Sequence, residues 1–497
     1  MPGCNEFSAT HNRAVTLDEM LSARDLRVLK QREMLKQFGC PVISMTLNMP
    51  GAIKRTRLSN YFFERELRAL KSVLISLGAT VVQEESTHVA TGDEALIAVR
   101  DFIPEAIKSL AVVIEEHTKA SRLLDLDVFR EDGTAIDRKS LAMTPRRCLL
   151  CEESAVLCAA TVRHSSEALQ EEVRLLLDGY ACNELADIHA GMAMEASSFE
   201  LMVSPKPGLV TFYEAGSHED MDRFTFVKSQ SVLANYYRAS FQTGWKRSLP
   251  QTEKAMWLRH EGILAEQAMS EATKGVNTHR GWIYLSGILL NAMGEYWSEF
   301  FSGDGVVPVA AQPSSVLQPS FEGAQLSRRS ADIARELEQS LSQITHFSYL
   351  NERLNAEDSI KGIREEACHG FPSLFDVGYP VLRDSLVMGH DDNTTGLRTL
   401  IALLGITSDT TLIRRAGRER ASDIREMVRD RLIAGSRGAT DETAIVTGAL
   451  ALTENELHEF LDDLCRMFVG KRLSCGGVAD LIAGSRLVYR FLFEICH

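Results

Sequence analysis

Long hydrophobic runs are missing from this sequence. The most apolar stretches, such as residues 282–293, fall short of the roughly 20 residues that a membrane-spanning helix requires. The ten cysteines are scattered and lack the dense, even spacing of a disulfide-bonded secreted domain. The first residues contain no basic stretch leading into an apolar run, so no secretory signal is predicted. We therefore expect a cytoplasmic protein with reduced cysteines and no membrane partner.

Positive charge is also scarce: 54 Lys and Arg against 68 Asp and Glu give a net charge of −14 at pH 7. Because binding to a nucleic-acid backbone needs a basic face, we expect no nucleic-acid partner. Phosphorylated small molecules remain possible, since a few local cations and helix N-termini suffice to bind them. Solvated surface charge is the simpler interpretation of any one of the three basic clusters, which are Lys54, Arg55 and Arg57; Arg146 and Arg147; and Arg414, Arg415, Arg418 and Arg420.

The chain has 497 residues, which predicts two or three domains of about 100–200 residues each. In the first part, apolar and polar residues alternate over 43–49, which is typical of a half-buried strand. An amphipathic helix is predicted over 58–77, ending at Gly78. Shorter strand-like runs follow at 79–83, 95–99, 110–115 and 122–128. Residues 1–182 are therefore predicted to form an α+β domain.

From about Asn183 the pattern changes to helical spacing. A stretch with Gly, Pro and Ser at about 303–326 predicts a long loop inside the helical region. Residues 183–497 are thus predicted to form a mainly α-helical domain, with helices at 184–202, 222–241, 253–272, 281–301, 327–352, 396–405, 419–434 and 453–468.

An Asp-x-Asp pair lies on the predicted strand at 122–128. Side chains alternate on a strand, so Asp125 and Asp127 should share one face while the leucines between and beside them enter the core. Two such carboxylates can hold one or two Mg²⁺ ions and suit nucleotidyl transfer. Taken alone, the pair is more often part of a solvent-facing strand, because Asp-x-Asp is common.

The motifs around this pair resemble those of the apo-citrate lyase phosphoribosyl-dephospho-CoA transferase family. They are TLNMPG (46–51), TGDEALIAV (91–99), IEEHTKASRLLDLDV (114–128), RRCLLCEESAVLC (146–158) and RHS (163–165), in the family's order. The resemblance implies a nucleotidyltransferase-type domain in which a carrier-protein serine attacks a triphosphoribosyl donor and pyrophosphate leaves. Arg122, Asp125 and Asp127 would then be catalytic. The sequence departs from the family pattern at Ser121, where a glycine is usual, and at Ala159 and Ala160, where an arginine often follows the third cysteine.

Cysteines and a histidine with the spacing C-x2-C-x6-C-x5-H follow the acidic pair: Cys148, Cys151, Cys158 and His164. This spacing resembles that of zinc ligands. The gap between the first pair, Cys148 and Cys151, and the second pair, Cys158 and His164, is short for a closed tetrahedral zinc site. Free cysteines also usually behave as small buried hydrophobic residues. The sequence therefore favours buried thiols over a zinc site.

Polar segments interrupt the helical pattern of the second domain. They include Lys206 in a Pro- and Gly-containing loop, and a 216–222 segment expected to open a helix with Ser217 as its cap. Residues 277–281 should open another helix, whose amides could bind an anion. Segments at 368–382, a predicted loop, at 407–415 and at 473–480 complete the set. Caps and turns use the same residue types, so each segment alone says little.

Together these segments resemble the triphosphoribosyl-dephospho-CoA synthase family. The matching strings are PKPGLV, GSHEDMD, NTHRG, HGFPSLF, SDT and GGVADL, from about 195 to 485. The resemblance implies that ATP loses adenine to the 2′-hydroxyl of dephospho-CoA, giving 2′-(5″-triphosphoribosyl)-3′-dephospho-CoA. Ala416 and Cys475 replace residues that are commonly glycine and proline in the family.

The chemistry of this reaction suggests roles for the residues in the motifs. Carboxylates should stabilise the cationic sugar, a base should deprotonate the attacking hydroxyl, and cations should hold the triphosphate with Mg²⁺. Catalysis is assigned to His218, Asp220, Asp222 and His279, with Asp220 and Asp222 also binding Mg²⁺. Substrate or phosphate binding is assigned to Lys206, Asn277, Thr278, Arg280, Asp409, Thr410, Arg414, Gly476, Gly477 and Asp480.

The two reactions are consecutive, which favours a bifunctional enzyme with ATP and dephospho-CoA as substrates. The expected acceptor is the acyl carrier protein, or gamma subunit, of citrate lyase. Two alternatives remain: the same chemistry serving the carrier protein of malonate decarboxylase, and a non-catalytic helical scaffold.

Overall fold

The computed structural model describes residues 11–303, 321–344, 362–434 and 441–496. The chain divides into two compact units. The N-terminal unit contains the residues up to Asn183 together with Phe301–Gly303, and the C-terminal unit contains Glu184–Phe300 and the residues from Asp304 onward. The division lies inside a continuous 37-residue helix, Ser166–Met202.

The N-terminal unit is built around a five-stranded antiparallel sheet with the strand order β2-β3-β1-β4-β5. Its strands are β1 (Val42–Leu47), β2 (Thr80–Val89), β3 (Gly92–Arg100), β4 (Leu124–Phe129) and β5 (Ala135–Ile136). Its helices are α1 (Leu17–Phe38), α2 (Arg57–Ser76), α3 (Pro104–His117), α4 (Ala155–Ala160) and α5 (Ser166–Met202), with 3-10 turns at Ala120–Leu123 and Lys139–Leu141.

One face of this sheet forms the main core. Ile43 and Met45 of β1 and Leu126 of β4 are at most 1% exposed and pack with residues of α2 and α3. On the opposite face, Met34 and Leu35 of α1 form a smaller cluster with residues of β1 and β3. The predicted alternation is therefore confirmed in β4. Strand β1 is not half-buried as predicted, because the α1 cluster covers Val42 on its second face.

The strand-like run at 110–115 is instead part of helix α3. Pro104 occupies its first turn, and Ile107, Leu110, Ala111 and Ile114 pack on the core at helical spacing. Six apolar residues are too few to distinguish a strand from a buried helix segment. The helical spacing becomes visible only when the segment is extended back to Pro104. Helix α1 was not predicted from the sequence.

The C-terminal unit is mainly helical and has no strand in its described residues, as predicted, and α5 ends within it. Its other helices are α6 (Arg223–Gln230), α7 (Ala234–Trp245), α8 (Gln251–Ala272), α9 (Arg280–Ser302), α10 (Phe321–Ile344), α11 (Ile363–Cys368), α12 (Tyr379–Val387), α13 (Asp392–Ile406), α14 (Thr410–Ala416), α15 (Arg418–Ile433), α16 (Asp441–Ala451), α17 (Glu454–Gly470) and α18 (Gly476–Cys496), with a π-helical turn at Ser373–Gly378.

Three local predictions for this unit need correction. The predicted helix 222–241 is broken between α6 and α7. The segment 216–222 is a loop rather than a helix opening, because Asp222 and not Ser217 caps the following helix, accepting the Thr225 N–H at 2.9 Å. The predicted loop at 368–382 is largely helical, since its apolar side chains such as Leu374 and Val377 are fully buried.

The long loop predicted at 303–326 is shorter at its C-terminal end, because α10 already begins at Phe321. Residues 304–320 of that prediction, and 345–352 of the predicted helix 327–352, lie outside the described residues. No single helix in the described part of the chain is long and apolar enough to cross a bilayer. The bent pair α13 and α14 meets the length and composition requirement only when the two are taken together.

Candidate active sites

The acidic pair of the N-terminal unit lies on one face of β4, as predicted. Leu124, Leu126 and Val128 are buried in the core, and the aspartates alternate with them. Asp125 pairs with Thr46 and Asp127 with Ser44 on the neighbouring strand β1. The strand pleat thus places both carboxylates side by side on the face opposite the main core.

Basic side chains lie close to this acidic pair. Arg146 contacts Asp125 at 3.0 Å and the buried Glu115 at 2.8 Å. The ammonium of Lys108 donates to the Leu126 carbonyl at 2.6 Å and lies 4.0 Å from Asp127. Both cations can therefore neutralise negative charge at the edge of β4.

The two aspartates influence each other electrostatically. Partial burial and the neighbouring Asp125 carboxylate raise the pKa of Asp127, although 57% of its side chain stays exposed. Adjacent carboxylate oxygens that repel each other are a donor set suited to Mg²⁺, which prefers hard oxygen ligands. Asp125 and Asp127 therefore fit the predicted magnesium site.

Arg122, also predicted to be catalytic, donates to the Cys148 carbonyl at 3.2 Å. This bond ties the start of β4 to the cysteine-containing loop. The loop itself brings together Cys148, Cys151, Cys158 and His164, with all four possible ligand atoms within 4.8 Å of one another, although the sequence favoured separate buried thiols. Arg146, which the sequence showed only as part of a basic pair, is the arginine that reaches Asp125.

A cavity of about 330 Å³ lies in the C-terminal unit. Its walls come from α5, α9, α14 and α18, from the loop between α5 and α6, and from the segments just before α9 and α18. The lining includes Glu200, His218, Asn277, Thr278, His279, Arg280, Gly281, Thr411, Arg414, Arg415, Ser474, Gly476 and Asp480.

Two carboxyl groups, Glu200 and Asp480, line this cavity. The ammonium of the fully buried Lys206 donates to the Glu200 side chain and to the Glu200 carbonyl. A Cβ atom at Gly281 would lie 1.9 Å from Asp480 Oδ2, so only glycine leaves room for the carboxyl group there.

Asp480 is the more perturbed of the titratable groups in this cavity. Burial raises its pKa well above the ordinary value, and the nearby carboxyl groups of Glu200 and Asp409 raise it further. A backbone N–H from Trp282 acts in the opposite direction. A buried carboxyl group whose neutral form is favoured in this way is a candidate for proton transfer.

The cationic part of the cavity comes from helix α14 and the start of α9. Arg414 and Arg415 line it, and Arg415 also donates to the backbone carbonyls of Ser217 and Arg472. At the start of α9, Asn277 caps the helix by accepting the Arg280 N–H at 3.2 Å. Two arginines and a helix N-terminus make this wall suitable for an anionic group.

The two predicted histidines, His218 and His279, both line the cavity. Arg415 can only donate, so His218 Nδ1 accepts at 3.3 Å and Nε2–H donates to Ser474 Oγ at 3.0 Å. Burial and Arg415 lower the pKa of His218. Burial lowers the pKa of His279 to about 3, and its Nδ1 bonds Ser229 at 2.6 Å. Burial thus favours the neutral form of both imidazoles.

Several predicted site residues do not reach the cavity. Asp220 is 63% exposed, Asp222 is engaged as the exposed cap of α6, and neither lines the cavity wall. These two carboxylates therefore do not fit a magnesium site there. Lys206 lies behind Glu200.

Asp409 also has a different position from the predicted one. It caps two helices, accepting the Leu412 N–H at 2.8 Å and the Val478 N–H at 2.9 Å. Gly477 packs against it, since a Cβ there would lie 3.0 Å from Asp409 Oδ2. Thr410 begins α14, and its neighbour Thr411 is the threonine that lines the cavity.

Sequence reasoning missed Glu200. A signal existed, because Glu200 follows Ala193, Ala196 and Ser197 at the core-facing spacing of α5, where a carboxylate is out of place. It was overlooked because it lies just before the PKPGLV motif rather than in it.

Comparison with known proteins gives two family matches. Residues 186–494 match the CitG family, ATP:dephospho-CoA triphosphoribosyl transferase. Residues 15–180 match the CitX family, apo-citrate lyase phosphoribosyl-dephospho-CoA transferase. The two matches correspond to the two units of the structure.

Individual relatives show the same arrangement. Protein CitXG of Haemophilus influenzae is 30% identical over 96% of both chains. Protein CitXG of Leuconostoc mesenteroides subsp. cremoris is 28% identical over 94% of this chain and 95% of its own. A probable apo-citrate lyase phosphoribosyl-dephospho-CoA transferase of Vibrio cholerae is 36% identical over 34% of this chain and 95% of its own. The predicted fusion of two transferases is confirmed, and the chain belongs to the CitG family of ATP:dephospho-CoA triphosphoribosyl transferases, preceded by a CitX region as in the CitXG proteins.

Proposed function

We propose that the two reactions of this bifunctional transferase take place at two separate acidic centres. The cavity of the C-terminal unit forms 2′-(5″-triphosphoribosyl)-3′-dephospho-CoA from ATP and dephospho-CoA. The β4 edge of the N-terminal unit transfers the phosphoribosyl-dephospho-CoA group to a carrier protein. The observation that carries the first assignment is the pair Glu200 and Asp480 beside Arg414 and Arg415 in one cavity.

Departure of adenine from ATP builds positive charge on the ribose ring. Glu200, held by Lys206, faces the cavity and stabilises this charge as a fixed carboxylate. Arg414, Arg415 and the amides at the start of α9 bind the triphosphate. In this proposal an anionic wall faces the sugar and a cationic wall faces the phosphates.

Asp480 accepts the proton of the attacking 2′-hydroxyl. Its raised pKa makes this carboxylate a stronger proton acceptor than a free one, whereas His218 Nδ1 is already occupied by Arg415. The proton then passes to the departing adenine, which restores the carboxylate. Lys206 is a positioning residue, since its ammonium touches Glu200 and not the cavity.

In the N-terminal unit the carrier-protein serine attacks the phosphate nearest the ribose, and pyrophosphate leaves. Asp125 and Asp127 would hold Mg²⁺, and the ion would supply neutralisation of the phosphate charge. Arg146 and Lys108 lie beside the acids and offset the charge that develops on the leaving pyrophosphate.

We further propose that the acceptor is the citrate lyase acyl carrier protein and that the enzyme works in the cytoplasm, where ATP and dephospho-CoA are available. The citrate lyase transferase family of the N-terminal unit supports this acceptor over that of malonate decarboxylase. Incubation with each purified carrier decides between them. Preferential labelling of the malonate decarboxylase carrier would reject the citrate lyase assignment.

Chromatographic detection of adenine tests the first step. The native chain should release adenine from ATP only when dephospho-CoA is present. A chain that labels the carrier when given ready-made triphosphoribosyl-dephospho-CoA, yet releases no adenine, would contradict the assignment of the C-terminal unit. Absence of both activities in a folded chain would favour the scaffold alternative.

A further inference from the structure

The loop between β5 and α5 contains a compact hairpin followed by a short helix. The Cys148 N–H donates to the Glu153 carbonyl at 2.8 Å, and the Ala155 N–H donates to the Arg146 carbonyl at 2.9 Å. Helix α4 starts directly after this hairpin and carries Cys158. The turn between the hairpin strands carries Cys151, so three thiols converge from two elements.

The four side chains of this loop meet at one point. Cys151 Sγ lies 3.5 Å from Cys158 Sγ and 3.3 Å from His164 Nε2, and all four ligand atoms lie within 4.8 Å of one another. Tetrahedral Zn²⁺ with Zn–S of about 2.3 Å and Zn–N of about 2.0 Å requires separations of about 3.6–3.8 Å between ligand atoms. The observed positions are close to those of a formed site.

The backbone of the turn also contacts one of the sulfur atoms. The N–H groups of Leu150 and Cys151 donate to the Cys148 sulfur. Donation of backbone N–H groups to a metal-bound sulfur is an outer-shell contact that orients the ligand and spreads its charge.

Hydrophobic burial does not account for the fold of this loop. Leu149 packs on the main core, but Val156, Leu157 and Val162 are 74%, 49% and 81% exposed. Segments too small to form a core of their own usually need a disulfide or a metal. Cys148 and Cys158, in contrast, are only 4% and 5% exposed. The thiols are thus the buried part of the loop.

We propose that the N-terminal unit binds one structural Zn²⁺ through Cys148, Cys151, Cys158 and His164. Three thiolates and one imidazole fill the tetrahedron, so the ion has no open position for substrate. The competing arrangement is a disulfide between Cys151 and Cys158, which would leave Cys148 and His164 without a common partner.

The site would position groups at the acidic centre. Arg146 lies two residues before the first ligand and contacts Asp125, and Arg122 donates to the carbonyl of Cys148. A zinc ion bound to the hairpin would hold both arginines in position relative to β4. The four ligands are therefore positioning residues, with no contact to the reacting atoms.

Metal analysis of the full-length chain, purified under reducing conditions, tests the proposal. We expect about one Zn²⁺ per chain in the native protein and loss of the ion in Cys151→Ser and Cys158→Ser. Cys40→Ala, at a buried thiol in the other core cluster of this unit, is the matched control and should retain the ion. Co²⁺ in place of Zn²⁺ should give the absorption of a tetrahedral thiolate site.

Adenine release by the C-terminal unit shows that the variant chains are produced in an active form. We expect the cysteine variants to keep adenine release and to lose carrier labelling. A reduced native chain without zinc, equal zinc in Cys158→Ser and the native chain, or a Cys151–Cys158 disulfide found by mass spectrometry under those conditions would each overturn the proposal. The metal readout does not depend on which reaction the N-terminal unit catalyses.

Discussion

The two acidic centres differ in how their residues are brought together. Asp125 and Asp127 lie on one strand, on the face opposite the main core, and Asp127 is largely exposed. Glu200 and Asp480 come from α5 and α18, far apart in sequence, and line an internal cavity. The first site follows from local spacing, whereas the second exists only in the folded bundle. The difference also affects the pKa values of the acids. Full burial in the cavity raises the pKa of Asp480 well above its ordinary value, whereas Asp127 on the open strand is only partly buried and its pKa is raised as well.

The largest effect should come from the proposed base of the cavity. Asp480→Asn keeps the shape of the side chain but cannot accept the proton, so adenine release should fall by about 10²–10⁴-fold. Chromatography of adenine measures the change. Carrier labelling should return when ready-made triphosphoribosyl-dephospho-CoA is supplied, and labelling that stays absent would indicate a folding defect instead.

A substitution at the exposed acidic pair on β4 should impair carrier labelling and leave adenine release intact. Asp127→Asn removes one of the two proposed magnesium ligands, so carrier labelling should fall by about 10²–10³-fold. Adenine release should continue at the native rate. Equal loss of both activities in a folded chain would mean that the two centres are not independent, and the comparison above would fail.

A methyl group can test the cavity without removing a charge. In Gly281→Ala the new Cβ would displace the Asp480 carboxyl group, and a shift of about 1 Å at a catalytic group can cost about 10²-fold in rate. Gly262→Ala is the matched control, because its Cβ would meet nothing closer than 3.9 Å on the same kind of helix. Equal adenine release by both variants would remove Asp480 from the mechanism.

Buried histidines should make the C-terminal unit acid-sensitive. Burial lowers the pKa of His189 to about 4 and that of His279 to about 3, so both stay neutral in the folded chain below their unfolded value near 6.5. The unfolded state then binds more protons, and stability is lost as pH falls from about 6.5 toward 4, by up to about 1.4 kcal/mol per pH unit for each histidine.

Urea titrations between pH 7 and pH 5 measure this loss. Trp297 donates to His189 Nε2 at 3.2 Å, which a protonated ring cannot accept. His189→Gln should therefore show a weaker dependence on pH than the native chain, and His458→Gln, at an exposed position, should show the same dependence. An unchanged urea midpoint over this range would contradict the neutral state of the buried rings.

The smallest effect is expected at an acid that the structure leaves outside the cavity. Asn caps helices as well as Asp does, so Asp222→Asn should leave the free energy of unfolding nearly unchanged. The rate of adenine release should change by less than about twofold. Asp222→Ala should cost about 1 kcal/mol of stability through the lost cap. A large loss of adenine release in Asp222→Asn would restore the original assignment of this residue to the reaction.

Much of the N-terminal unit could be predicted because a strand repeats every two residues. The alternation in β1 and β4 placed Met45 and Leu126 in the core and the aspartates on the other face without knowledge of the remaining fold. The prediction failed at 110–115, where six apolar residues are too few to distinguish helical from extended spacing.

Residue patterns alone were enough to predict the helical class of the C-terminal unit, the motifs of both families and the acidic pair on β4. The tertiary structure alone decided which motif residues share a cavity: it brought Glu200 to Asp480, and left Asp222 and Asp409 as helix caps. The reason is that caps and active-site loops use the same polar residues, and their roles separate only when distant helices pack together.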